Sequence, residues 1–487
     1  MNTPSTEQNT AETGLVHDPQ ALRIIPWIVA IAFFMQMLDT SVLNTALPSI
    51  ARSLGESPLN LHWAVIAYVL AVAVLMPVSG WVADRFGTRR VLFAAIIIFA
   101  AGSVLCATSR SLGFLVFARA AQGVGGAFMM PVGRLVILRS YPRRQLVQVL
   151  SFVSIPALIG PLMGPALGGF LVEYASWHWI FLINIPVGVV GCLAVLRYIP
   201  NLQGTVRARF DVSGFLLFGA AMLMLSFALD GVGQAQFSRL LLGALAGGGL
   251  LCFALYVAHA RRHPQPLFSL ALFKIRSFSV GIAGNIFSRL ASGGMPYLTP
   301  LLLQVLLGYS PFNAGLVMIP MTVMAIFSKA MATRLLNRFS YRRVLFVNTV
   351  LLGCLITAYS FLAQGTPLWL TLALFSVFGA VNSLQFTAMN TLTLIGLPDD
   401  MAASGNSLLS VVMQLALGLG VAAAATGLTL FLPEGVSVAS VGQAGTGSLA
   451  GAFRLTYFCM GGLSVLAAFI FLLTPAGLNA GEEGRKS

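Results

Sequence analysis

Apolar runs of about twenty residues follow one another along this chain with only short polar breaks, and that succession constrains its fold more than any other feature. A run of this length can cross the hydrocarbon core of a bilayer as a helix. No water is available there to bond backbone N–H and C=O groups, so each run must satisfy them internally, as a helix does. A membrane β-barrel would instead show short segments of alternating polarity, and the sequence lacks them. Composition agrees. Of 487 residues only 9% are charged and 57% are hydrophobic, against roughly 25% charged in a soluble domain. The mean hydropathy is +0.88. An all-α polytopic membrane protein is expected.

Fourteen spans are expected, near residues 24–47, 59–82, 89–108, 112–134, 146–171, 178–199, 212–230, 240–258, 278–305, 312–332, 344–363, 367–392, 404–432 and 453–474. Charge tests this independently, because cytoplasmic segments collect Lys and Arg. With the N-terminus inside, twenty-two of the Lys and Arg residues fall on inner segments. Four fall outside (Arg52, Arg110, Arg239 and Arg454), and Arg119 and Arg289 lie within spans. Both termini are therefore expected in the cytoplasm. The same rule accounts for the net charge of +14 without invoking nucleic acid. The five cysteines are scattered singly through apolar segments, a spacing that suggests neither a metal site nor a disulfide framework. Residues 1–23 are polar, lack the pattern of a signal peptide, and are expected to form a disordered cytoplasmic tail.

An internal repeat organises the spans. The stretch from Gly80 to Leu92 (GWVADRFGTRRVL) and the stretch from Thr333 to Leu345 (TRLLNRFSYRRVL) are identical at six of thirteen positions, at an offset of 253. Equivalent loops eight spans apart imply a six-helix bundle at 24–199, a linker with two extra helices at 200–277, and a second six-helix bundle at 278–474. A short cytoplasmic tail would follow at 475–487. Parallel repeats with a substrate site between them are the plan of transporters that rock around a fixed site.

Four stretches then carry a resemblance to the major facilitator superfamily, in its fourteen-span drug:proton antiporter branch. Leu38 to Pro48 (LDTSVLNTALP) resembles the signature of the family's first span, and Gly80 to Arg90 its loop motif G-x-x-x-D-R-x-G-x-[KR]-[KR]. Arg119 to Gly126 (RAAQGVGG) resembles its fourth-span arginine motif. Gly160 to Gly169, followed by Trp177 to Gly188, resembles the antiporter motif of span five and the start of span six. The resemblance covers essentially the whole chain and is nearest to the MdtD-type bacterial multidrug transporters. It implies a major facilitator fold, export in exchange for protons, no cofactor, and a multi-pass protein of the bacterial cytoplasmic (inner) membrane acting as a monomer. Its partners would be a small-molecule substrate, protons and membrane lipid.

Individual residues sharpen this. Asp39 is the only acidic residue expected deep within a span. A carboxylate there is costly when charged, and intramembrane ionisable groups face cavities and serve pathways. A proton carrier is one reading; a fixed ion pair or a cap on a broken helix is the other. Arg119 cannot lose its proton, so it needs a partner inside the bundle, and the resemblance implies that it tunes the proton site. Gly80, Asp84, Arg85, Gly87, Arg89 and Arg90 are expected to bridge helix ends as a cytoplasmic gate. The second copy has Asn337 and Ser340 in place of Asp84 and Gly87, so the gate should be asymmetric. Gly160, Gly164 and Gly168 share one helix face, where small residues let a neighbour pack closely. With Gly169 and the helix-bending Pro161 and Pro165, they are expected to form a hinge and seal.

Candidate cavity residues are Met35, Gln36, Asn44, Tyr68, Gln122, Asn285, Arg289, Tyr297, Asn382, Gln385, Met389 and Gln414. For the polar ones, interhelical bonding is the competing role. Arg289 would bind an anionic substrate, pair with Asp39, or snorkel to the interface. No Walker motif, nucleophile–base pair or metal cluster points to an ATP-driven pump or an enzyme. Three functions are carried forward: proton-coupled efflux of small molecules of the multidrug type, export of an anionic metabolite or metal–organic acid chelate, and a non-transporting sensor or scaffold.

Overall fold

The computed structural model describes residues 19–204, 210–231, 238–432 and 446–474, apart from a few side chains within helices. Helix follows helix throughout, with no strand among the described residues. The first bundle holds α1 (Pro19–Leu54), α2 (His62–Leu75) running through a 3₁₀ turn into α3 (Ser79–Phe86), α4 (Thr88–Ala107), α5 (Leu112–Ser140) and α6 (Arg143–Tyr174). It closes with the short α7 (Trp179–Leu182) leading into α8 (Asn184–Tyr198). Next come α9 (Val212–Gly231) and α10 (Arg239–Arg262), packed on each other. The second bundle begins with α11 (Arg276–Ser292) and α12 (Met295–Leu301), the latter extended by a π turn at Leu302–Leu306. It continues with α13 (Pro311–Arg338), α14 (Tyr341–Ala358), α15 (Leu368–Ile395), α16 (Asp399–Phe431) and α17 (Thr446–Ala468).

One expected boundary is corrected. Residues 19–23 are not tail but the first turn of α1: Ala21 is buried, and the Tyr141 hydroxyl donates to the Leu22 carbonyl, pinning that turn. Residues 1–18 and 475–487 lie outside the described residues. Among the described residues, twelve helices are each long and apolar enough to cross a membrane by length and composition; of the fourteen expected spans, the fifth and the ninth fall outside that count. The ninth expected span is broken at Gly293–Gly294, leaving only 17 residues in its longer piece, α11. The break sits where α16 crosses: a Cβ on Gly294 would lie 2.7 Å from Ala424 Cβ and 2.8 Å from the Gly420 carbonyl oxygen. The fifth expected span, α6, has several side chains outside the described set.

Packing repeats between the bundles. In the first, α1 lies on α6, α2 on α5, and α4 on α5 and α8; in the second, α11 lies on α16, α13 on α15, and α14 on α15 and α17. In each bundle the first helix thus meets the fifth, the second meets the fourth, and the third meets the fourth and sixth. The bundles meet along two seams, α6 against α13 and α2 against α16, with α9 placed against α16 and α2. The end of the molecule where α1 begins is called the tail end below, and the end where α1 finishes the far end. Hydrogen bonds join the bundles at the far end. Tyr297 Oη donates to the Leu59 carbonyl at 3.3 Å, Gln304 Nε2 to the Thr45 carbonyl at 2.8 Å, and the Phe312 N–H to Glu173 Oε2 at 2.9 Å.

Candidate functional site: a buried carboxylate–guanidinium centre

Asp39 sits midway along α1, 3% exposed, and Arg119 on α5 is 1% exposed, so bulk water solvates neither charge. Arg119 Nη1 donates to Asp39 Oδ2 at 2.7 Å. The other carboxylate oxygen accepts from Gln122 Nε2 at 2.8 Å and from Asn184 Nδ2, at the start of α8, at 2.9 Å. Both amides also donate to Ser103 Oγ on α4, at 2.9 and 3.2 Å, and that hydroxyl donates on to the Phe99 carbonyl at 2.9 Å. A hydroxyl has one proton to give and two lone pairs to receive with, so Ser103 is fully used. Arg119 Nε donates to the Ala64 carbonyl of α2 at 3.3 Å, and its guanidinium stacks 4.3 Å from the Tyr68 ring centroid. The carboxylate thus ties α1 to α5 and α8, the two amides it holds add α4 through Ser103, and its cation adds α2.

Glycine makes this geometry reachable. Gln122 lies three residues after Arg119, on the same helix face. A Cβ on Gly102 would lie 2.5 Å from Gln122 Cα, one on Gly125 2.5 Å from the Phe99 nitrogen, and one on Gly123 2.8 Å from the Tyr68 carbonyl oxygen. Any larger residue at these points would push α2, α4 and α5 apart and pull the polar groups out of bonding range.

The glycine–proline span, α6, lies along α1 beside the centre. Its three-glycine face meets Met37 to Val42: a Cβ would lie 2.9 Å from the Leu38 nitrogen at Gly160, 2.2 Å from Ser41 Oγ at Gly164, and 2.9 Å from the Val42 carbonyl at Gly168. Pro165 has no N–H to give the Pro161 carbonyl one turn back, and the Ser41 hydroxyl of α1 donates to that oxygen instead, at 3.4 Å. Pro165 and Gly169 face the second bundle. A Cβ on Gly169 would lie 2.2 Å from the Pro311 carbonyl oxygen, and one on Gly315 of α13 2.2 Å from that of Pro165. Thus α6 touches the helix carrying Asp39 with one side and the opposite bundle with the other.

At the tail end, Gly87 ends α3 at φ +90°, a backbone conformation that favours glycine. A Cβ on it would also collide with Asn201, whose Oδ1 accepts the Arg90 N–H at 3.4 Å. Asp84 is paired with Arg139 at the end of α5, within its own bundle, and its backbone carbonyl accepts the Gly204 N–H at 3.1 Å. Gly80 has open space around it, and Arg85 lies over Trp81, 5.7 Å from the ring centroid. Arg89 is half-buried and Arg90 exposed. The side chain of Asn337 in the second copy of the loop lies outside the described set.

The second bundle holds an uncharged version of the centre. Gln385 Nε2 on α15 donates to Thr349 Oγ1 of α14 at 2.7 Å and to Ser288 Oγ of α11 at 3.5 Å, while Asn348 Nδ2 donates to Gln385 Oε1 at 2.8 Å. By helix order Gln385, Thr349 and Ser288 stand where Gln122, Ser103 and Asp39 stand in the first bundle. Three residues before Gln385 comes Asn382, in the place of Arg119. Beside Ser288, Arg289 Nε donates to Asn285 Oδ1 at 3.1 Å, and its guanidinium lies 4.5 Å from the Phe386 ring centroid. Its Nη2 is buried without a hydrogen-bond partner. Arg289 does not pair with Asp39, which Arg119 holds.

The remaining candidates scatter. Met35 lines an apolar groove with Ile28, Ile31, Ala32 and Pro186. Gln36 Oε1 and Asn44 Oδ1 are buried without partners. Tyr297 joins the far-end contact, and Met389 packs in an apolar cluster with Leu345 and Phe471. Gln414 is half-buried on α16. Sequence reasoning missed Asn184 and Ser103 as parts of the centre and Arg139 as the partner of Asp84. Asn184 lies in a segment already notable, Trp177 to Gly188, but nothing in one dimension aims it at Asp39.

Residues 29–421 match the Major Facilitator Superfamily. A candidate multidrug resistance protein, MdtD, of Citrobacter koseri is 49% identical over 94% of this chain and 96% of its own length, and its Escherichia coli counterpart is 48% identical over the same shares. Among solved structures, a D-xylose–proton symporter superposes with a TM-score of 0.65 at 16% identity, covering 93% of this chain and 98% of its own. A bacterial homologue of the lysosomal transporter Spinster, inward-facing and unoccupied, gives a TM-score of 0.64 at 16% identity over 94% and 97%. With a matched region spanning most of its length and relatives near half identical end to end, this chain belongs to the major facilitator superfamily.

Proposed function

We propose that the chain is a proton-coupled antiporter that exports small molecules across the cytoplasmic membrane by alternating access. The buried Asp39 centre carries this reading. Ionised, the carboxylate holds three donors from two other helices, Arg119 and Gln122 of α5 and Asn184 of α8. A proton on it cancels the charge that Arg119 needs and turns one acceptor oxygen into a donor, so the network has two arrangements, biased by a proton. The change is mechanically connected: α1 rides on the glycine face of α6, and α6 abuts α13 of the other bundle. The excess of arginine and lysine on the tail-end segments favours that end as cytoplasmic. Protons then enter from the far end, and the three far-end bonds between the bundles hold the outer side shut until release. The multidrug name of the half-identical relatives supports efflux.

The test is Asp39→Asn in proteoliposomes, with an imposed pH gradient and ethidium as a cationic probe. The wild type should accumulate probe against its gradient while dissipating the pH difference; the variant should do neither. Full gradient-driven transport by Asp39→Asn would refute the proton-carrier role.

A second reading of the cargo rests on Arg289, whose Nη2 is buried without a partner in the bundle that lacks the carboxylate. An unpaired guanidinium suits an anionic metabolite or a metal–organic acid chelate. Arg289→Ala should then abolish transport of an organic anion such as citrate and spare ethidium. The reverse selectivity would exclude the anionic cargo.

A further inference from the structure

The α9–α10 pair carries a group of side chains that the transport reading does not use. Asp211 lies one residue before α9, and His259 and His263 lie one turn apart at the end of α10. One ligand atom from each of the three lies within 4.8 Å of the others. His259 Nε2 and Asp211 Oδ1 are already 2.7 Å apart, and the two imidazole centroids are 5.0 Å apart.

Two further features distinguish this from a chance surface cluster. The Asp211 carboxylate is buried and held in place by the backbone: the Gly214 N–H donates to Oδ1 at 2.8 Å and the Leu267 N–H to Oδ2 at 3.0 Å. Ligand carboxylates are oriented by bonds of this kind. The histidines are only half-buried, and beside them a cavity lined by Ala258, Arg262 and Pro264 leaves room for a solvent ligand and a route in.

We propose that Asp211, His259 and His263 form a binding site for a divalent transition metal of the zinc class. Two imidazoles and one carboxylate with an open position are a donor set for such an ion. Calcium and magnesium demand all-oxygen surroundings instead. Around metal–ligand bonds of about 2.0–2.2 Å, tetrahedral neighbours stand about 3.3 Å apart. Binding therefore opens the Asp211–His259 contact slightly and draws His263 inward by about an ångström or two. The metal takes the place of the proton now shared between Asp211 and His259. It cross-links the start of α9 to the end of α10. Through Leu267 it also stiffens the segment that leads into the second bundle.

The experiment uses the full-length protein in detergent, purified without a polyhistidine tag and stripped with EDTA, and titrated with Co(II) in place of zinc. The wild type should bind one Co(II) per chain with the visible absorption of a low-coordinate site, displaced by Zn(II) and not by Mg(II). In His263→Ala the affinity should fall about tenfold or more, whereas His178→Ala should bind as the wild type does. Zn(II) should also raise the unfolding temperature of the wild type and not that of His263→Ala, with the two proteins equal in EDTA. Absence of a stoichiometric cobalt spectrum, or an unchanged one in His263→Ala, overturns the site.

Discussion

At the scale of single residues, the central fact is that Arg119 and Asp39 have no substitute for each other. Both are almost wholly buried, and removing one partner of a buried pair leaves the other charge uncompensated, at about 3–5 kcal/mol. Arg119→Ala should therefore lower stability by about that much in thermal or denaturant unfolding in detergent. Replacing both by apolar residues, Asp39→Leu with Arg119→Met, should recover most of the loss, since apolar replacement of a whole pair is often neutral. Gradient-driven transport should stay at zero in that double variant. A double variant no more stable than Arg119→Ala would mean that the loss does not come from the uncompensated Asp39 charge. Asp39, Arg119 and Gln122 were legible in the sequence because a charge inside an apolar span is conspicuous, and because i and i+3 fix a shared face. Asn184 and Ser103 were not. A single small polar residue in a membrane helix is commonplace glue, and only three-dimensional packing shows that both converge on one carboxylate.

Helices α1 and α6 hold the predictions at the scale of elements. Gly164→Ala sets a Cβ 2.2 Å from Ser41 Oγ and should cost about 1–3 kcal/mol by forcing the two helices apart, with transport slowed through displacement of Asp39. A variant with wild-type stability and rate would show that the contact yields freely. Ser41 allows a finer test. Ser41→Ala should cost about 0.5–1.5 kcal/mol by stranding the Pro161 carbonyl. In a Pro165→Ala background the helix supplies its own donor, and the same change should cost nothing measurable. A double-mutant cycle isolates the coupling; additivity would show that the serine does not serve that oxygen. The four-residue rhythm of the glycines was legible as a packing face, but its partner was not. The spacing suggested a hinge and seal; the three-glycine face lies on α1, while Pro165 and Gly169 abut α13. Spacing gives a face its smoothness without saying which neighbour uses it.

For the whole molecule, the far-end contacts must break and re-form in each cycle. A disulfide between Thr45→Cys and Gln304→Cys should arrest transport under oxidising conditions and release it with a reductant; unimpeded transport by the cross-linked protein would rule out movement there. The twofold plan itself was legible, because the repeated loop fixes an offset between the two bundles. The contacts of Asp84 with Arg139 and Gly204 were not, since like charges crowd that end and sequence gives no means of pairing them. The far-end contacts carry one consequence for how such a protein tolerates change. Each of the three bonds has a main-chain group as one partner: the carbonyls of Thr45 and Leu59, and the N–H of Phe312. The side-chain information that joins the bundles at the far end is therefore written on one partner of each bond only, in Tyr297, Gln304 and Glu173. Residues 45, 59 and 312 can drift so long as the backbone keeps its course (proline at 312 excepted), and cavity-facing neighbours on those segments are free to diversify without unsealing the membrane.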